Sequence, residues 1–402
     1  MPAAIDLTEF PVIDSHCHSY LKSPKVLDPE SFARYSSILA APQDFLSEKS
    51  APSKIHFDRS RLRLSQMNRE QPYFNYMTRL LSKFFGCRDS IEEVSAARSR
   101  RASDFNAYVK ELFDDVILRG LVLDGGYPPL PEEDVKQFPA KVARVFRIET
   151  FVRELLDRHN SFDDFCEAFE FGIRDAVGKL GFVGLKSIIA YRTGLNISRV
   201  RLEHAKSDFE EAKHRRAEMA WFGPRIKALR DFLFVRALEL SIELDVPMQI
   251  HTGVGDHDIL LDECNPALLY DLLKDERLRH ATVVLVHGGF PDSQNAAFMA
   301  SVLPNVFLDF SLTIPFLNPV SHDRLLEILQ IAPASKIMYG SDGFGLPEIF
   351  WLSVKVGKRR LEKCFDSLLT ENAFDAGQIE QMAERILFDN ANELFRLGLE
   401  RS

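Results

Sequence analysis

Eight short apolar runs, each ending in polar or charged residues, constrain this chain more than any other feature. They are VIDSHCHS (12–19), GLVLDGGY (120–127), ARVFRIET (143–150) and GFVGLKSIIAYR (181–192), then PMQIHTG (247–253), TVVLVHGG (282–289), NVFLDFS (305–311) and KIMYGSDG (336–343). Nearly continuous aliphatic and β-branched runs suit strands buried on both faces, as parallel strands are. Most of the gaps read as helical; residues 225–244, for example, carry apolar side chains at three- and four-residue spacing. Strands alternating with helices predict an α/β protein, and eight such units predict a closed (β/α)8 TIM barrel. An open doubly wound sheet is the competitor. It is weakened because no GxGxxG or GxxxxGK(S/T) loop follows any of the runs.

A length of 402 residues would allow two or three ordinary domains, but one barrel with insertions accommodates it as well. We read residues 1–402 as a single barrel with two enlarged connections. Residues 20–117 form a helical insertion between the first and second strands, serving either as a cap over the barrel mouth or as an oligomer interface. Residues 193–224 extend the fourth connection and are rich in charge; the tail from 378 reads as a closing helix. Hydrophobic residues at 46% and a net charge of −9 describe a soluble chain that does not attract nucleic acid or an anionic membrane. Five scattered cysteines with no CxxC pair support neither a disulfide framework nor a thiolate zinc site, and point to a reducing compartment. There is no basic-then-apolar leader, and no apolar stretch of about 18 residues that could span a membrane. The expectation is a cytoplasmic protein with a small-molecule partner and room for a homo-oligomer.

The densest chemistry lies at the first strand's end, in Asp14-Ser15-His16-Cys17-His18. Side chains at i and i+2 of a strand point the same way, so His16 and His18 can share one ion while Cys17 faces away. Imidazole suits zinc and similar divalent ions. An HxH pair alone is weak, since two histidines near a strand end are often only polar surface. His251 ends the fifth run, however, His287 the sixth and Asp342 the eighth. In a (β/α)8 barrel all strand C-termini open on one face, so these distant residues converge.

HxH on strand one, Lys on four, His on five, His on six and Asp on eight resembles the amidohydrolase superfamily. More narrowly, GFVGLKSIIAYRTGL, VPMQIHTGVGD, VVLVHGGFP, NVFLDFSLTIPF and GSDGFGLPEIFWL are similar to the amidohydrolase domain of FluG-type and nodulin/glutamine-synthetase fusion proteins. On this reading the fused synthetase domain is expected to be absent. The resemblance implies a metal set of His16, His18, Lys186, His251, His287 and Asp342 around one or two ions, zinc first among them. Lys186 is either a carboxylated bridge between two metals or a buried lysine neutralised by a carboxylate such as Asp342 or Glu149. Asp342 is the expected general base, and His287 is either a ligand or the group that polarises the substrate carbonyl. Asp14 either supports a histidine or caps a strand end.

The reaction implied is hydrolysis of a C–N bond in a small carboxylate-bearing amide, with γ-glutamyl amides suggested by the family. Substrate selection falls to Arg192, Tyr191, Asp256 and Glu149, with Arg147 beside Glu149 on the third strand. Arg192 would take a carboxylate and Asp256 or Glu149 an ammonium. Metal-dependent non-oxidative decarboxylation is the alternative chemistry, and a non-catalytic barrel scaffold a third reading that the ligand set argues against. The loop GSDGFGLPE gives the backbone tight access near the metal and is no phosphate cradle.

Overall fold

The computed structural model describes residues 5–20, 26–36, 53–126, 132–214 and 226–401. Eight parallel strands follow one another in sequence order: β1 (Val12–Cys17), β2 (Leu118–Asp124), β3 (Lys141–Arg147), β4 (Gly184–Ser187), β5 (Met248–His251), β6 (Val283–Val286), β7 (Val306–Asp309) and β8 (Ile337–Met338). Each strand coincides with one of the eight runs, β2 and β3 beginning two residues earlier. The seam between β8 and β1 is bridged by backbone hydrogen bonds: Ser15 N to Tyr339 O (3.0 Å), Asp342 N to His16 O (2.9 Å) and His18 N to Gly343 O (2.8 Å). The barrel is thereby drawn shut, which removes the exposed edges an open sheet would leave.

Among the described residues, five helices lie between β1 and β2: α1 (Pro29–Tyr35), α2 (Lys54–Glu70), α3 (Pro72–Phe85), α4 (Ile91–Arg101) and α5 (Phe105–Val116). Downstream come α6 (Ile148–Arg158), α7 (Phe162–Gly178), α8 (Leu202–His214), α9 (Lys227–Glu243), α10 (Ser293–Val302), α11 (Asp323–Ile331), α12 (Pro347–Thr370) and α13 (Ala376–Glu384), with shorter helical turns between them. Polar residues start many of them: Ser53, Ser90, Asp104 and Ser161 each accept a hydrogen bond from a backbone N–H of the first turn. Residues 21–25 and 37–52 of the long insertion, residues 215–225 of the fourth connection and Tyr127 of the second run lie outside the described residues.

Two apolar layers hold the barrel. A small inner cluster joins Ile13, Val122, Ala143, Val145, Val284, Val286 and Met338 to Phe388, Ala391 and Phe395 of the C-terminal segment. These strand residues fill the lower interior, and the C-terminal aromatics form its floor. The larger outer layer, including Leu121, Leu185, Ile250 and Leu285, packs strands on helices. Above the floor the interior turns polar, and there the strand ends carry Asp124, Lys186, His251, His287 and Asp309, all buried.

The insertion packs beside the mouth, against α12 and the turn after β7. Trp351 of α12 donates from Nε1 to Asp115 at 2.6 Å, and Tyr73 of α3 meets the Phe316 ring edge-on at 5.7 Å. At the centre of this contact lies a fully buried ion pair. Arg98 Nε of α4 reaches Glu348 Oε1 of α12 at 2.6 Å, and Tyr108 of α5 donates to the same oxygen at 2.8 Å.

Candidate metal centre

The two histidines of β1 face inward because the strand is irregular. Ile13 belongs to the inner cluster, and strict alternation would then point Cys17 inward as well. Cys17 instead sits in the outer layer, and the pairing of β1 with β2 shifts register between Asp14 and Cys17. That shift inverts the parity and brings both His16 and His18 inside. Their Nε2 atoms each lie 3.4 Å from Asp342 Oδ1, and the ligand atoms of the three residues all fall within 4.8 Å of one another.

Hydrogen-bond partners fix which ring nitrogens carry protons, since hydrogens follow from the network. His16 Nδ1 faces the side-chain oxygen of Gln249 at 3.0 Å, while the Gln249 amide donates to Ser15 O at 2.7 Å. His18 Nδ1 faces the backbone carbonyl of Asp124 at 3.3 Å. Both Nδ1 atoms must therefore donate, which leaves bare lone pairs on both Nε2 atoms. Two lone pairs and a carboxylate oxygen converge on one point. Such a set is mutually repulsive unless a cation sits among them, and it fits a divalent ion.

A second chain of hydrogen bonds runs along the neighbouring strand ends. Ser311 donates its hydroxyl to Asp309, so its oxygen accepts from His287 Nδ1 at 2.9 Å. His287 Nε2 must then accept from His251 Nδ1, 3.1 Å away. The last atom of the relay, His251 Nε2, is buried and has no partner among the described residues. Its lone pair is a further nitrogen suited to a metal, outside the group of three. The His251 ring packs 4.5 Å from Tyr191, whose hydroxyl accepts from Asp256 N at 3.1 Å.

Protonation states agree with that role. Burial, aided by the Lys186 charge, lowers His16 to about 4, and burial chiefly holds His251 and His287 well below the usual imidazole range. Burial would raise the Asp342 carboxyl; positive charge located among His287, His16 and His18, the place a cation would take, holds it well below the carboxylate range. Neutral imidazoles and an ionised carboxylate are the forms that bind metal. His16 is fully enclosed, whereas the His18 and Asp342 side chains are 16% and 15% exposed, so the centre opens to solvent on that side.

Backbone strain marks the same residues. His287 (φ 69°) and Asp342 (φ 54°) both lie in the left-handed region, which costs a non-glycine residue about 1–3 kcal/mol. Asp14 helps hold the strained Asp342 turn. Its carboxyl accepts from Ser341 N (2.8 Å), from the Ser341 hydroxyl and from His16 N (3.2 Å), while the Ser341 oxygen takes the Gly343 N–H at 2.7 Å. It touches neither histidine ring. Burial pushes this carboxyl up to about 8 against those donors.

Lys186 is buried, with its Nζ 3.2 Å from His16 Nε2. Burial lowers it to about 8, opposed first by the charge of Asp124 and then by Asp342 and Asp309. Glu149 is not its counter-ion. Glu149 lies in the first turn of α6 rather than on the third strand, because β3 ends at Arg147, and it accepts from the Ser187 hydroxyl at 2.6 Å. Arg147 closes on Asp124 through Nε at 2.9 and 3.0 Å. Arg192 follows a single turn after β4 and meets Asp258 at 3.4 Å.

Gln249, Asp309, Ser311, Asp124 and Ser341 are functional neighbours that the sequence reading passed over. Two of them had a usable signal: Asp124 and Asp309 end apolar runs just as Asp342 does. Gln249 stands two residues before His251 on β5 and so shares its face.

The amidohydrolase family matches residues 172–397, more than half of the chain. Protein fluG of Emericella nidulans is 26% identical over 423 residues, an alignment covering 96% of this chain and 46% of fluG, so the chain spans about half the length of that relative. A Lactobacillus casei ATCC 334 structure described as a metal-dependent hydrolase shares the fold with a TM-score of 0.81 at 23% identity, over 98% of this chain and 99% of that one. Uronate isomerase of Thermotoga maritima shares it with a TM-score of 0.63 at 13% identity, over 96% and 94%. No helix among the described residues is long and apolar enough to cross a membrane. The chain belongs to the amidohydrolase family and is built on a (β/α)8 barrel.

Proposed function

We propose that the chain hydrolyses a C–N bond in a small amide bearing a carboxylate, with γ-glutamyl amides as the substrate class to test first and zinc as the ion. The observation that carries the reading is the convergence of His16 Nε2, His18 Nε2 and Asp342 Oδ1; His251 Nε2, buried and unmet among the described residues, is the further nitrogen available. His16, His18, His251 and Asp342 would hold the ion. A bound divalent cation supplies an activated water at neutral pH and a Lewis acid for the carbonyl. Asp342, kept ionised and partly exposed, takes the proton of the attacking water and returns it to the leaving nitrogen.

His287 works in this reading by accepting from His251 and so fixing that ring's tautomer and direction. Direct polarisation of a carbonyl by His287 would need a proton on Nε2, the atom turned toward His251. Lys186, set against His16 Nε2, supports a single ion in this geometry; a carboxylated Lys186 between two ions would first have to leave that contact. Arg192 and Tyr191 border the centre on its β4–β5 side and are the nearest candidates for binding substrate.

The test is release of amine from a γ-glutamyl anilide by metal-replete protein. Asp342→Asn should lower kcat at least about 100-fold, the usual scale for a positioned acid–base group. An unchanged rate in Asp342→Asn, or no hydrolysis across a panel of carboxylate-bearing amides, would contradict the proposal. Release of carbon dioxide from an aromatic acid instead would move the same centre to decarboxylation.

A further inference from the structure

Beside the metal centre, around the C-terminal end of β4, lies a group of charged side chains that take no part in the proposed proton transfer. Helix α9 precedes β5 and runs down the outside of the barrel, so its first turn, with Arg230, stands at the strand C-termini. Glu149 begins α6 and Arg192 follows β4, and both stand at the same face. The Ser187 hydroxyl holds Glu149 by one oxygen, Oε1, at 2.6 Å. The other oxygen, Oε2, is buried without a partner among the described residues, and so is Arg230 Nε. A buried donor and a buried acceptor of opposite charge are thus both unmet, which is costly and uncommon in a folded core.

Burial first, and then the positive charge of Arg192, lowers Arg230 to about 10, with Glu149 opposing. Arg192 has Asp258 at 3.4 Å, whereas Glu149 spends one oxygen on Ser187. Like charges gathered at a site mouth suit an anionic ligand, and a guanidinium fork matches a carboxylate in particular.

We infer that Arg230, together with Arg192 and Glu149, forms a subsite for a free α-amino-acid head group, the guanidiniums taking its carboxylate and Glu149 Oε2 its ammonium. This rests on the proposal that the substrate is a small carboxylate-bearing amide, and it narrows that class to amides whose acyl portion carries an amino-acid end.

Binding can be read without turnover by titrating L-norvaline and pentanoate into the metal-loaded protein in a calorimeter. The two share a carbon chain and a carboxylate and differ in the ammonium. L-norvaline should bind about tenfold or more tighter than pentanoate, the scale of one charge-assisted hydrogen bond. Arg230→Gln should weaken both ligands by a similar factor, and Arg230→Lys, which keeps the charge, should recover part of the loss. Glu149→Gln should remove most of the preference for L-norvaline. Equal binding of the two ligands by the unaltered protein, or Arg230→Gln binding unchanged, would overturn the subsite and make Arg230 and Glu149 an internal charge pair. Because no bond is cleaved, failure of amide hydrolysis would leave this result standing, and failure here would leave the hydrolytic reading standing.

Discussion

His16 and Asp342 reach their positions through residues that never touch the metal site. Asp14 binds the backbone and hydroxyl of Ser341, and Ser341 in turn binds Gly343, so one carboxyl fixes the turn that holds Asp342 at a positive φ. Replacing Asp14 by Ala leaves a buried N–H and a hydroxyl without their acceptor, at a cost of about 1–3 kcal/mol. Metal affinity should also fall about 10–100-fold, the scale seen for groups that orient ligands. Competition against a chelator reads the affinity and urea unfolding reads the stability; affinity equal to that of the unaltered protein would show that Asp14 only caps the strand. At this scale the sequence was informative about residue type and strand end, which sufficed to collect His16, His18, His251, His287 and Asp342 at one rim. It was silent on hydrogen-bond direction. That His251 donates to His287, and not the reverse, depends on Asp309 and Ser311, whose proximity exists only once β6 and β7 are paired.

Among the elements, all eight strands were legible because parallel strands buried on both faces leave uninterrupted apolar runs, and helix α9 was legible from its spacing. The register shift in β1 was not, since a strand irregularity leaves no mark in hydrophobicity. Glu149 fell on the wrong element for a related reason. RVFRIET reads as continuous strand, but the chain turns into α6 after Arg147. The insertion's attachment to the barrel depends on Arg98 and Glu348, a fully buried pair 250 residues apart. Arg98→Met should destabilise the fold by about 3–5 kcal/mol because it strands a buried carboxylate. The double variant Arg98→Met, Glu348→Gln should lose less than the sum of the two single changes; additive losses in urea unfolding would deny the pairing.

Helix α12 offers a test through pH. Lys358 donates to Thr8 O and to Val116 O, the last carbonyl of α5, and burial lowers its amine from 10.5 to about 8. The unfolded chain keeps that proton between about 8 and 10.5 while the folded protein releases it, so this group makes stability rise with pH across that window. The slope is at most about 1.4 kcal/mol per pH unit. Comparing urea midpoints at pH 8 and pH 10 should show a smaller rise in Lys358→Met than in the unaltered chain, and identical rises would remove Lys358 from the account.

At the scale of the whole molecule, the barrel divides the work by height. The floor is apolar, sealed by Phe388 and Phe395, and the mouth is polar, built from strand ends. A closed sheet lets residues more than 300 positions apart, such as His16 and Asp342, share one ligand sphere without any local motif. It also means that the chemistry cannot be read from the fold, because barrels of this superfamily serve several reactions and only the centre distinguishes them. The central claim is therefore the centre itself. Elemental analysis of protein purified without chelators, run beside a His16→Ala, His18→Ala double variant, tests it most directly. About one zinc-like ion per chain in the unaltered protein, lost in the variant, is the predicted result. Protein that neither contains nor takes up a divalent ion, or a variant that keeps its metal in full, would contradict it.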